Sequence, residues 1–168
     1  MPFKPSLFLR LPRAWLLLLA GAAPLLVALV SQYGFGLPPC HFCLLQRYPY
    51  LLPIAAGGLL LWRAPTGGMA RLLVVVGVLG IAASGSIGAY HTGIERGWIP
   101  YQGGCVADAA ATGSLEDLRA QILQAPTVSC SDAMASFAGL SMASWNTIYA
   151  FGMIVLILLH QRPHRRLP

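Results

Sequence analysis

Four apolar runs dominate this chain and leave little choice of fold: Trp15–Tyr33, Leu44–Trp62, Ala70–His91 and Ser144–His160. A hydrocarbon core about 30 Å thick is crossed by roughly 20 helical residues, and each run meets or approaches that length. Of the 168 residues, 57% are hydrophobic and only 10% charged, whereas a soluble domain carries about 25% charged residues. Backbone in lipid has no water to bond, so runs of this kind satisfy their own amides as helices. The expected architecture is an all-α membrane protein, a four-transmembrane-helix bundle forming one domain over residues 1–168. Its outer connections are 34–43 and 92–143. The first run follows Lys4, Arg10 and Arg13 as a signal peptide would. Its apolar stretch is longer than a signal core and no A-x-A-like site follows, so it is read as retained.

Charge orients the bundle. Lys4, Arg10, Arg13, Arg63, Arg71, Arg162, Arg165 and Arg166 fall on one side without a single acid. The other side holds Arg47, Arg96 and Arg119 against Glu95, Asp108, Glu116, Asp117 and Asp132. Short loops rich in Lys and Arg stay cytoplasmic, so both termini are expected inside. The net charge of +6 is thereby a topology signal, with no sign of nucleic-acid binding.

That orientation puts all the cysteines, Cys40, Cys43, Cys105 and Cys130, outside, where thiols are not kept reduced. Neighbours along the chain suggest the pairs Cys40–Cys43 and Cys105–Cys130, with exchange between pairs left open. A bond closing the 25 residues from Cys105 to Cys130 is a plausible staple, worth about 3.5 kcal/mol on the chain-entropy account. A bond across two residues restrains very little, and C-x-x-C is a spacing of redox sites with lowered thiol pKa. Structural zinc wants two close pairs or a Cys/His set. Haem attachment wants C-x-x-C-H, and Leu44 follows Cys43. No metal is expected.

The second run fixes what lies next to the pair. A helix starting at Pro49 would leave too few residues to cross, so it is expected to begin near Cys43, with Pro49 and Pro53 bending it. Cys43 would then sit at a helix N-terminus, which favours a thiolate, with Arg47 on the same face one turn deeper. Arginine at that depth either snorkels to headgroups or meets an anion; the sharper reading is that it faces the thiolate and a polar ligand oxygen.

These residues carry a resemblance. The segments "PCHFCLLQR", "GAYHTGIERG", "YQGGC" and "TVSC", in that order and with four spans, resemble the bacterial disulfide bond formation protein B (DsbB) family over nearly the whole chain after the first dozen residues. The resemblance implies an inner-membrane thiol:quinone oxidoreductase that reoxidises a periplasmic DsbA-like thiol oxidase. Cys105 would be attacked by the reduced partner. Cys130 would pass oxidation to Cys40, and Cys43 would give electrons to ubiquinone or menaquinone polarised by Arg47. His91 would help manage protons there, or is simply an interfacial histidine. Gln46 stands where some members carry an acid and is given no catalytic weight. Two other readings remain: a vitamin-K-epoxide-reductase-like enzyme, whose loop pair precedes its C-x-x-C, and a non-catalytic membrane subunit braced by disulfides.

Elsewhere, Ser114–Gln124 reads as a short amphipathic helix, lying on the membrane surface or packed on the bundle top. Gly80, Ser84 and Gly88 form a small-residue repeat for close helix packing, and Pro24 is expected to kink the first helix. There is no internal repeat, phosphate loop, carboxylate pair or Ser/His/Asp set.

Overall fold

The computed structural model describes residues 11–101, 114, 130 and 135–161. Cys105 and the expected loop helix beyond Ser114 lie outside the described residues. The first element, α1, spans Leu11–Leu29 and continues as a π-turn over Val30–Gly34. After an extended connection come a short α2 at His41–Leu45, a 3-10 turn at Tyr48–Tyr50 and α3 at Leu51–Arg63. The long helix α4 covers Gly67–Glu95; strands β1 (Ser136–Phe137) and β2 (Leu140–Ser141) precede α5, Met142–Gln161.

Among the described residues, three helical stretches are long and apolar enough to cross a membrane: Arg13–Gly34, Gly67–Glu95 and Met142–His160. They coincide with three of the four apolar runs. The run 44–62 departs from expectation, because its helix does not continue inward from Cys43. Pro49 has no amide proton to give the Leu45 carbonyl, and its ring crowds that carbonyl. The chain therefore leaves α2 after Leu45, turns through Gln46 and Arg47, and restarts at Leu51. Pro53 falls in the first turn of α3, where a missing amide proton costs little. At 13 residues, α3 is about 20 Å long and needs the segments before it to reach the bundle end.

Consecutive long helices run antiparallel. A Cβ on Gly57 would meet the Ala14 carbonyl at 2.8 Å, and one on Gly80 would meet the Pro49 carbonyl at 2.6 Å. The small-residue repeat thus does bring backbones together, as expected, and Gly80 is where the close approach is tightest. Leu17, Ala20, Tyr50, Ile81 and Ala150 are buried between the helices. Leu26, Leu79, Val155 and Leu158 are exposed on the outside, the reverse of a water-soluble surface and suited to lipid.

The two strands pair antiparallel, Ser136 with Ser141 and Phe137 with Leu140. Ala138 and Gly139 link them with φ of 51° and 75°, the mirror-image turn favoured in two-residue hairpins. The Trp145 indole donates to the Phe137 carbonyl at 3.0 Å and ties this hairpin to α5. The antiparallel order brings the π-turn, α2, the end of α4 and the hairpin to one end of the bundle. The α3–α4 connection lies at the other, where Arg63 stacks 4.5 Å over Trp62.

Candidate active site at the cysteine end

Pro38 and Pro39 hold the chain extended up to Cys40, which caps α2 with φ −74° and ψ 171°. Its sulfur accepts from the Cys43 amide at 3.2 Å, so the capping atom is a thiol. The two sulfurs are 2.7 Å apart, both free, and close enough to bond with a small rotation. The two thiols are hydrogen-bonded, and once Cys40 is ionised Cys43 is the donor. That hydrogen bond, joined by the amide of Cys43 and by His91, outweighs burial and brings Cys40 down to about 4. Cys43 is pushed far up by the same hydrogen bond and by burial. Within the reduced pair these shifts run toward ionisation at Cys40. Cys40 holds the capping position, and two sulfurs in contact do not both ionise.

His91, one turn before the end of α4, is 2% exposed. Its Nε2 lies 3.7 Å from the Cys40 sulfur, 3.2 Å from the Cys130 carbonyl and 3.7 Å from Glu95 Oε1. Glu95 also accepts from the Ser141 hydroxyl. The ring of Phe42, between the cysteines, packs at 5.3–5.6 Å against Tyr90, His91 and Tyr101 and fixes the imidazole plane. Cys130 is buried and disulfide-bonded, so an oxidised cysteine touches the nitrogen that touches a free thiol.

Beside this junction is a cavity of about 660 Å³ whose wall is mostly apolar, from α1, the outer connection, the hairpin and α5. Cys43, Gln46, Arg47, Tyr50 and Asn146 are among its polar points, with Ser31 and Tyr149. Gln46 and Arg47 keep helical backbone angles after α2, and Cys43 and Arg47 reach the same cavity. The arginine Nη1 donates to Gln32 Oε1 at 2.6 Å, and among the described residues it makes no hydrogen bond to Cys43. Its Nε is buried and has no partner among the described residues. An orphaned guanidinium donor on an apolar wall calls for an acceptor oxygen from a ligand.

The sequence brought forward Cys40, Cys43, Arg47, His91, Cys105 and Cys130. The structure gathers all of these except Cys105, which lies outside the described residues. It adds residues the sequence reading passed over. Gln46 is 6% exposed and bonds His91 Nδ1 at 3.3 Å. Asn146 donates to Gln46 Oε1 at 2.8 Å and accepts from the Tyr50 hydroxyl at 2.6 Å. Ser84, inside the small-residue repeat, donates to the Gln46 carbonyl at 2.8 Å. The available signal was amide and hydroxyl side chains inside apolar runs, which mark sites in membrane proteins.

The chain matches the family described as "Disulfide bond formation protein DsbB" over residues 11–160. It belongs to the DsbB family. Disulfide bond formation protein B of Pasteurella multocida (strain Pm70) is 34% identical over 148 residues, covering 86% of this chain and 82% of that relative. Those of Mannheimia succiniciproducens and Histophilus somni are 33% and 34% identical, each covering 86% of this chain and 83% of the relative. No solved structure matches. Family and fold together make this a disulfide-forming oxidoreductase with several membrane-spanning helices.

Proposed function

We propose that this protein is a thiol:quinone oxidoreductase of the bacterial inner membrane, with its cysteine end in the periplasm, that reoxidises a DsbA-like dithiol oxidase. The observation that carries this reading is the sharing of His91 Nε2 by the Cys40 sulfur and the Cys130 carbonyl, with Cys43 on the cavity wall. The loop disulfide, assigned as Cys105–Cys130, takes the partner's two electrons and becomes a dithiol, leaving the partner as a disulfide. Cys130 then attacks Cys40 of an oxidised Cys40–Cys43 bond, and Cys43 leaves as the thiolate. Closure of Cys105 onto Cys130 restores the loop disulfide and frees Cys40, so the C-x-x-C is left as the dithiol.

While Cys40 is tied to Cys130 it no longer accepts the Cys43 proton. The largest cause that pushes Cys43 up is then removed, burial remains, and ionisation of the sulfur on the cavity wall becomes easier. A quinone, ubiquinone or menaquinone, would be held by the apolar wall and by the unpartnered Arg47 Nε. When bound it supplies an acceptor for two electrons and two protons, which regenerates the Cys40–Cys43 disulfide. Arg47, anchored by Gln32, holds positive charge where acceptor oxygen gains negative charge. Glu95, next to His91 Nε2, lies where protons leave the sulfurs. The C-x-x-C preceding the loop pair in the chain favours this over the vitamin-K-epoxide-reductase-like arrangement.

The test combines purified protein, ubiquinone and a reduced thioredoxin-like partner under anaerobic conditions. The expected result is one quinol per partner disulfide, and none when any one cysteine is replaced. Full turnover in Cys43→Ala rejects the route.

A further inference from the structure

Gln46 connects the thiol junction to the cavity, and the direction of its hydrogen bonds can be worked out. The Ser84 hydroxyl proton is committed to the Gln46 backbone carbonyl at 2.8 Å. Asn146 Nδ2 lies 3.3 Å from that hydroxyl oxygen and 2.8 Å from Gln46 Oε1, and it donates to both. Reversing the Asn146 amide would set its carbonyl oxygen against a Ser84 hydroxyl whose proton is already given to Gln46. Asn146 is therefore fixed with Oδ1 toward Tyr50, Gln46 with Oε1 toward Asn146, and the Gln46 NH2 toward His91 Nδ1. An NH2 only donates, so Nδ1 is the bare nitrogen. The other side of the ring agrees independently: the Cys130 carbonyl, 3.2 Å from Nε2, only accepts.

We infer that Gln46, oriented by Asn146 and Ser84, is a positioning residue that locks His91 as the Nε2–H tautomer, so that the ring presents a proton donor to the Cys40 sulfur. In this state His91 stabilises a Cys40 thiolate and does not act as a base toward it, since its lone pair is turned away and occupied. The same orientation works against a metal at Cys40, Cys43 and His91, whose donor atoms lie within 4.8 Å of one another. A ligating histidine donates its second ring N–H to an acceptor, whereas here the second nitrogen accepts. Among the described residues the other titratable groups near this sulfur are Cys43, from its own helix, and Glu95 beyond Nε2; Arg47 is turned to Gln32.

The inference deepens the proposed exchange reaction, but its test needs neither quinone nor partner, so the two fail separately. Long-range proton–nitrogen NMR of the reduced protein, with His91 assigned by His91→Gln, reads the tautomer directly. The expected spectrum has the proton on Nε2 in the native chain and a proton gained on Nδ1 in Gln46→Glu, whose carboxylate can only accept there. Thiolate absorbance in Gln46→Leu should show the Cys40 titration moved upward by up to about one pH unit. The conservative Gln46→Asn should move it less if its amide reaches the ring. A neutral His91 protonated on Nδ1 in the native chain overturns the inference whether or not the variants fold, as does an unmoved titration in a folded Gln46→Leu protein.

Discussion

The pairing of Cys40 and Cys43 makes a demanding prediction about acidity. In the reduced protein the Cys40 thiol titrates near 4 instead of near its ordinary 9.0, chiefly because the Cys43 S–H donates to it. Replacing Cys43 by alanine removes that donor but leaves the backbone amide and His91 in place. A hydrogen bond to a charged acceptor contributes about 1.5–3 kcal/mol, and each pH unit corresponds to about 1.4 kcal/mol. Cys43→Ala should therefore raise the Cys40 midpoint by about one to two units, to between about 5 and 6. The sign carries through to stability. A thiol whose folded value lies below its unfolded one contributes fully above the unfolded value and loses that contribution as pH falls through the folded one. For the reduced protein the loss runs between about 9 and about 4. The assay is ultraviolet thiolate absorbance of the reduced protein in detergent, taken against Cys40→Ser, and it needs no reagent to reach the buried sulfur. A single thiolate appearing only near 9, in either protein, would refute the reasoning.

Three other outcomes follow from single contacts. Arg47→Gln should weaken quinone use at least tenfold in kcat/KM, while the loop disulfide still captures a reduced partner; unchanged quinone dependence would remove the arginine from the site. Gly80→Leu sets side-chain atoms against the Pro49 carbonyl and Leu52, and should lower thermal stability by about 1–3 kcal/mol by overpacking, read from the unfolding midpoint in detergent. Tyr50→Phe leaves the Asn146 Oδ1 acceptor unpaired in the bundle and should cost about 1–3 kcal/mol, measured in the same way.

The sequence legibly carried three of its four spans, because long apolar runs and charge asymmetry report the membrane without any tertiary information. It carried the C-x-x-C, Arg47 and His91 as candidates, through spacing and likeness to a family. It did not reveal that α2 ends before Arg47. That outcome turns on Pro49 acting at a bundle end, where a break is tolerated, against the length argument that favoured a continuous helix. It placed the thiolate at Cys43, whereas the shifts in the reduced pair run toward Cys40. Helix-terminus reasoning ranks positions along one helix, whereas here the decisive contact is a thiol proton passed between neighbours and a histidine arriving from α4, 51 residues away. Gln46 and Asn146 are 100 residues apart, so the network joining them has no local signature. The hairpin over the cavity is two residues per strand, too short to give a periodic pattern.

The junction at His91 is tested most directly by disulfide mapping of the Cys43→Ser protein by mass spectrometry. With Cys43 absent, the lone Cys40 thiolate should attack the loop disulfide by simple exchange, so that a Cys40–Cys130 bond accumulates and Cys105 is released as a thiol. A Cys43→Ser protein that keeps Cys130 bonded to Cys105 and leaves Cys40 permanently free would contradict the account.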